Sequence, residues 1–441
     1  MVKQYKKWLT RGIAPVLLVL SFSQPVFAAP VALTLDESIS LALKNNPSMK
    51  TALSGREQSL WAVEQAKAGK GLTLGYTHTD ERYTTYSSYK VDSAGYLRYG
   101  KAYYGVDYYQ NALSLKLPIY TGGSVEGQID QAKLSLKVSD LSIEATKQQL
   151  KQTVTNDYFS VLQYRNNLAV SKETVGNYVD HLKNVQLQYD AGTVAKTDVL
   201  SSQVSLANAQ ASLIKAQNNY DLAVANLNNA IGLSLDTEVT LKEELKYEKY
   251  TNTLDACSEY AIASRPEMAQ YKAKVDSANA AVNVAKSGYR PSVSLFATEG
   301  WNDDQFAGFD NNTWSVGLTA TWSIFDAGLT DSKVKQAKYG VNTAEVQAGQ
   351  ERDTILLEVR QYYLSLREAE KRIETTQVAV NQAQENLKIA EVRYTAGVGT
   401  NLDVLDAVLA LNQSKTNYIQ ALYDYNTSKT SLEKAMGVAV K

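Results

Sequence analysis

A twelve-residue stretch that occurs twice decides what this chain can fold into. Tyr189–Leu200 reads YDAGTVAKTDVL and Tyr394–Leu405 reads YTAGVGTNLDVL; Tyr189 matches Tyr394, Gly192 matches Gly397 and Asp198 matches Asp403, each 205 residues on (403 − 198 = 205). A tyrosine closing an apolar-periodic run, a glycine able to take the left-handed conformation, and Asp-Val-Leu opening the next run predict a turn between two helices, with Thr197 or Thr400 as the cap. Two such turns predict one helical hairpin present twice. Pro47 and Gly69 are answered by Pro266 and Gly288 at an offset of 219, which falls to 205 by Ile119 and Ile324, so the first copy carries 14 extra residues between these landmarks (219 − 205 = 14). The expected division is residues 29–253 for the first repeat and 254–441 for the second.

The runs around the turns are long. Ser124–Tyr189 and Leu329–Tyr394 hold no proline, and helices of about 66 residues would extend about 100 Å. The returning run, Asp198–Ile231, places Leu206, Leu213, Tyr220 and Leu227 seven apart, with Ala209, Ala216, Ala223 and Ala230 three further on. Leu411, Tyr418, Tyr425 and Leu432 repeat the seam in the second copy, a pattern for close coiled-coil-like packing. Shorter helices are expected from about Asp36 to Gly69 and from Leu254 to Gly288. The returning helix and the next upward one, Leu254 to Gly288, sum to about the length of one rod, so these two short helices end to end can flank one long one. Gly232–Thr253 is charged and aperiodic, a belt-like linker.

Between short helix and rod, each copy alternates as strands do. Trp314, Val316, Leu318, Ala320, Trp322 and Ile324 interleave with Ser315, Gly317, Thr319, Thr321 and Ser323; Leu113, Leu115, Leu117 and Ile119 stand opposite Ser114 and Lys116. One apolar face and one small polar face over about ten residues is the pattern of a membrane-spanning strand. Two strands per copy are expected, with loops near residues 80–107 and 300–312. The first loop region is dense in tyrosine, which suits a headgroup girdle or an adhesive surface equally.

Address and composition agree with an exported protein. Lys3, Lys6, Lys7 and Arg11, an apolar run near Val16–Leu20, and Val26-Phe27-Ala28 read as a signal peptide over residues 1–28. Its removal leaves 41 basic residues (45 − 4) against 46 acidic ones, a balance that points away from nucleic acid. No other run is long and apolar enough for a membrane helix, and the single cysteine, Cys257, is expected in the core.

With the duplication, the two tips, KSGYRPSVSLFA before a strand, WSIFDAG after one, and the ends NNAIGL and EKAMGV, the chain resembles the TolC family of outer-membrane channel proteins over nearly its whole mature length. The resemblance implies an α+β membrane protein: a homotrimer in which four strands per chain build a twelve-stranded β-barrel in outer-membrane lipid and long helical hairpins form a periplasmic α-barrel. It also implies the partners, a periplasmic adaptor (membrane fusion) protein and an inner-membrane transporter of RND, ABC or MFS type. Independently of the resemblance, four strands cannot close on themselves, and open sheet edges in lipid leave backbone groups unsatisfied.

By the same resemblance Asp403 and Asp406 match aspartates that ring a constricted channel entrance, where clustered carboxylates would attract cations. Asp403 is equally placed to start a helix as part of Thr400-x-x-Asp403. Tyr394 would link to Asp198, and a basic residue two after the glycine would reach Thr197; Gly399 holds that position, which puts the second link in doubt. Tyr189, Gly192 and Gly397 would form the tips on which the adaptor docks. No Ser-His-Asp set, phosphate loop or Cys-His cluster occurs, and His78 and His181 lie far apart, so neither an enzyme nor a cofactor is expected. The first reading is an outer-membrane exit duct for efflux or type I secretion. The alternative is a periplasmic or surface coiled-coil structural or adhesive protein, which has no use for the Trp314–Ile324 strand; a general diffusion porin would spend its length on strands.

Overall fold

The computed structural model describes residues 31–306, 308 and 311–440; the expected signal peptide lies outside the described residues. Helices α1 (Leu35–Asn45) and α2 (Pro47–Ala68) begin the chain. Thr34 and Glu37 satisfy each other's backbone in a capping box at the start of α1. Asn46, held extended before Pro47, separates the two helices and accepts a bond from the Ser48 amide. An extended residue before proline recurs at Arg265, without a side-chain cap, between α5 (Leu254–Ser264) and α6 (Pro266–Lys286).

The rods are α3 (Ser124–Asp190) and α7 (Leu329–Thr395), each 67 residues, or about 100 Å long. Gly123 and Gly328 precede them at φ +93° and +84°. Helix α4 (Lys196–Ile231) returns along α3, and α8 (Asn401–Ala435) along α7. Helices α2 and α4 both flank α3, and α6 and α8 both flank α7. Short helices do meet end to end, but α4 does not stack on the next upward helix. It meets the short helices that precede its own rod, where Asn46 Nδ2 donates to the Ala230 carbonyl (2.8 Å), and α8 meets α5 and α6, where Arg265 Nη1 donates to the Ala435 carbonyl (3.3 Å). The seven-residue seam packs inward, with Ala223, Leu227 and Ala230 on α4 and Leu411, Tyr425 and Leu432 on α8 buried. Cys257 is buried, as expected.

The linker holds more order than its sequence shows. Strand β4 (Val239–Leu241) pairs in parallel with β1 (Val31–Leu33). Tyr158, fully buried on α3, donates to the Leu33 carbonyl (3.2 Å), and Tyr425 on α8 donates to the Glu248 carbonyl (2.5 Å). These bonds tie the β1–β4 pair to α3 and the belt to α8.

Strands β2 (Thr73–Val91), β3 (Leu97–Tyr120), β5 (Ser292–Asp303) and β6 (Asn312–Thr321) form one antiparallel sheet in the order β2-β3-β5-β6. Register sets Leu74, Leu115, Ala297 and Val316 side by side, with Leu117, Leu295 and Leu318 in the next row of that face. The opposite face carries Gly75, Ser114, Thr298 and Ser315. Val316 and Leu318 are 64% and 65% exposed, so the apolar face is uncovered along its length. Among the described residues no helix is long and apolar enough to cross a membrane.

The structure departs from three further expectations. Residues 80–107 are not a loop: β2 and β3 continue through them as a paired ribbon that turns at Asp92–Tyr96. Trp322 and Ile324 lie beyond β6, where Trp322 Nε1 donates to the Tyr289 carbonyl (3.2 Å) and leaves the ladder. Thr197 caps nothing: Ala195 precedes α4 without a side-chain cap, because the 205-residue offset aligns Thr400 with Ala195.

Candidate functional site

The predicted site residues lie at the far ends of the rods. After α3, Gly192 takes φ +76° and the Thr193 amide donates back to Gln188 O (2.9 Å); after α7, Gly397 takes φ +75° and the Val398 amide donates to Arg393 O (2.9 Å). Both are Schellman endings, which require the left-handed conformation. A Cβ at either glycine would meet nothing within 4 Å, so the constraint is backbone conformation alone. Valine at either position is expected to cost about 1–3 kcal/mol locally, read as faster proteolysis at that tip while far-ultraviolet circular dichroism stays unchanged.

Gly399 serves differently. A Cβ there would come within 3.0 Å of Tyr394 N and 3.1 Å of Arg393 C. A larger side chain there would require the end of α7 to shift by a few tenths of an ångström, and with glycine in place no side chain reaches from this position to Thr197.

Asp403 completes a capping box, its carboxylate accepting from the Thr400 amide (2.9 Å) and its own amide donating to Thr400 Oγ1 (3.1 Å). Those bonds hold its pKa below the usual carboxylate value, with a smaller contribution from Arg393. Asp406, one turn on and outside the box, is also exposed. The two carboxylates therefore sit at the start of α8 with their charges open to solvent.

The two tips are joined by contacts the sequence did not announce. Asn401, the first residue of α8, is buried; His181 Nε2 on α3 lies 2.6 Å from its Oδ1, Ser202 on α4 donates to the same oxygen (3.1 Å), and Asn401 Nδ2 donates to the Asp198 carbonyl (3.2 Å). Tyr178 adds a bond to the Leu405 carbonyl (3.4 Å). Burial pushes the His181 pKa down, partly opposed by Asn401, so the neutral ring is favoured. Tyr394 packs edge-on against that ring at 5.1 Å. Its hydroxyl is buried without a hydrogen-bond partner among the described residues, and the expected bond to Asp198 is not formed; burial and then the Asp198 charge push the phenol pKa up. Tyr189, the counterpart of Tyr394, is exposed at the first tip. The pairing of His181 with Asn401 could not be read from the repeat because neither has its like at the equivalent position of the other copy: 205 residues on from His181 stands Asn386, and 205 back from Asn401 stands Lys196.

Comparison with known proteins agrees with this architecture. The profile of the family described as outer membrane efflux protein matches residues 38–233 and 258–438. The chain is 25% identical over 314 residues to the outer membrane protein TolC of Escherichia coli, covering 68% of this chain and 64% of TolC, just under two thirds of that relative's length. It is 24% identical to the alkaline protease secretion protein AprF of Pseudomonas aeruginosa over 420 residues, 92% of this chain and 85% of AprF. The crystal structure of the Campylobacter jejuni CmeC outer membrane channel superposes with a TM-score of 0.77 at 19% identity, over 91% of this chain and 85% of CmeC, which shows the shared fold. A lipid-type sheet, paired rods of equal length and a profile spanning nearly all described residues converge: the chain belongs to the outer membrane efflux protein family and is an outer-membrane protein.

Proposed function

We propose that the protein is a passive exit duct without chemistry of its own. It would conduct substrates from an inner-membrane transporter, through a periplasmic adaptor docked on the helical tips, to the outside. The observation that carries this reading is one chain holding both a four-stranded sheet with an uncovered apolar face and two rods of about 100 Å. A coiled-coil adhesin accounts for the rods but not for Val316 and Leu318. Closure of the sheet calls for further copies, and we infer a homotrimer with twelve strands around one axis, each chain built from repeats 29–253 and 254–441. The equal lengths of α3 and α7 support that division. The names of relatives place them in both secretion and efflux, and the transporter supplies energy and selection.

Within this reading Asp403 and Asp406 face the periplasmic entrance, and Asn401, held by His181 and Ser202, helps keep the tips together with Tyr394 and Asp198 beside it. Six carboxylates (2 × 3) around a narrow aqueous opening with low-dielectric walls would focus a negative potential. The test is Asp403→Asn with Asp406→Asn, which removes charge at nearly constant volume. In planar bilayers, cation selectivity and block by periplasmic-side multivalent cations are both expected to fall in the double variant, with the trimer intact by native mass spectrometry. Unchanged selectivity and block would assign the aspartates to helix starting alone. Monomeric protein without conductance would remove the duct reading altogether. Gly192→Val and Gly397→Val, which alter the surface offered to the adaptor, are expected to impair export while sparing assembly.

A further inference from the structure

The ribbon formed by β2 and β3 beyond the rest of the sheet has two unlike faces. Pairing of β3 with β5 ends at Tyr109↔Asp303, whereas β2 and β3 stay paired from Asp80↔Tyr109 out to Val91↔Leu97. Past that rung β2 runs a further 11 residues (91 − 80) and β3 a further 12 (109 − 97), which projects the ribbon by about 40 Å. Alternation carries the sheet's two faces into it. Glu81, beside Tyr108, stands at the base of the face that carries Gly75. Past that rung the face continuous with apolar Leu74 and Leu115 carries the charges: Arg82 pairs with Asp107 at 3.5 Å, Arg98 with Asp92 at 2.9 Å, and Lys101 lies over the Tyr86 ring at 4.8 Å.

The other face, continuous with Gly75, Ser114 and Thr298, is uncharged from Tyr83↔Val106 through Thr85↔Tyr104 and Tyr89↔Tyr99 to Val91↔Leu97. The shift in register between Ser87 and Tyr89 keeps both members of the Tyr89–Tyr99 pair on this side, their rings 5.8 Å apart and edge to face. Tyr99, Leu97 and Val91 are 85%, 72% and 66% exposed. A two-stranded ribbon is marginal in water unless one face is covered, and a patch of this kind marks a contact surface.

We propose that this tyrosine face is covered by the same face of the other two copies, so that the three ribbons clasp one another over the outer mouth of the duct. The proposal rests on the trimeric reading. The occupant follows from continuity: the uncharged face extends the small polar face of the sheet, the side that faces the axis when the apolar side faces lipid, so threefold symmetry aims three identical tyrosine faces at one another. Charges on the opposite side keep the outer surface of the clasp soluble and leave nothing charged to desolvate at its centre. Aromatic pairs across such a contact favour edge-to-face and offset geometries, which tyrosines adopt at small entropic cost.

The test places single cysteines in a Cys257→Ser background, at Leu97 on the tyrosine face and at the adjacent Arg98 on the charged face. Disulfides form only where Cβ atoms approach within about 4.5 Å, so oxidation of purified protein is expected to give at least about fivefold more linked dimer for Leu97→Cys than for Arg98→Cys. Native mass spectrometry reads the trimer separately, and linked Leu97→Cys protein should stay at trimer mass. In planar bilayers, oxidation of Leu97→Cys should lower conductance and reduction restore it. Changing Tyr83, Tyr89, Tyr99 and Tyr104 to serine should raise conductance without changing trimer mass. Intact trimers that link equally at both positions, that link only to other trimers, or whose conductance the serine changes leave untouched would overturn the clasp while leaving the duct reading standing. A monomer would overturn both.

Discussion

Arginine at Val316 and Leu318 together is expected to abolish stable insertion in the outer membrane, whereas arginine at Ser315 and Thr319 on the same strand leaves it largely intact. Val316 and Leu318 share the exposed apolar face with Leu115, Leu117 and Leu295, and Ser315 and Thr319 share the other. An arginine on the lipid face near the bilayer midplane costs roughly 2–4 kcal/mol, so two approach the whole stability of many folded chains, while on the polar face the same charge meets water. The measurement is the heat-resistant oligomer in outer-membrane fractions. Loss in both pairs, or in neither, would reject the assignment of faces and the membrane reading built on it.

The second large effect is expected from Arg265→Ala, far from both the sheet and the tips. Arg265 stands between α5 and α6 with its side chain 4% exposed, bonded to Glu267 (3.1 Å) and Glu358 (2.5 Å) and to the last carbonyl of α8 at Ala435. Burial alone would lower the guanidinium pKa; the two carboxylates outweigh it, and the net shift is upward. Alanine leaves Glu358 and Glu267 without their partner and the Ala435 carbonyl short of a donor, a loss of roughly 3–5 kcal/mol for a buried pair broken on one side. The apparent melting temperature of the detergent-solubilised protein should fall sharply. Replacing Arg265 and Glu358 together by methionine and glutamine should recover part of the loss, since the penalty lies in the unpaired charge. Equal loss in the single and double variants would mean that packing around Arg265, not its charge, holds the junction.

Much of this architecture could be read from the chain, and the physical reason differs from part to part. The helical hairpins were legible because their packing is periodic: on the returning helix α4 the seam from Leu206 to Ala230 names its own packing face. The tips were legible because only glycine at Gly192 and Gly397 satisfies a left-handed helix ending. The ribbon was not, because alternation between apolar and polar marks a strand only where lipid covers one side. Beyond Asp80 both faces carry polar or aromatic residues, and the signal of pairing disappears although the pairing continues. The β1–β4 pair was invisible for another reason: three residues carry too little pattern, and their partners lie more than two hundred positions away. At the candidate site, Asp403 declared its capping role through Thr400-x-x-Asp403, whereas the His181–Asn401 contact joins two helices that no spacing relates.

The belt carries a consequence for the order of events during folding. Val31–Leu33 is the first described segment to be synthesised, yet its strand partner, Val239–Leu241, follows only after more than two hundred residues. Long-range parallel pairing is slow because the intervening loop must close before any contact rewards it. The leading end of the chain therefore stays unpaired until α3 and α4 have zipped together and brought the belt alongside. Acquisition of protection at Leu33 and Leu241 should lag that of the α3–α4 hairpin in pulse-labelled hydrogen exchange, making this three-residue sheet a clock for the completion of the first half.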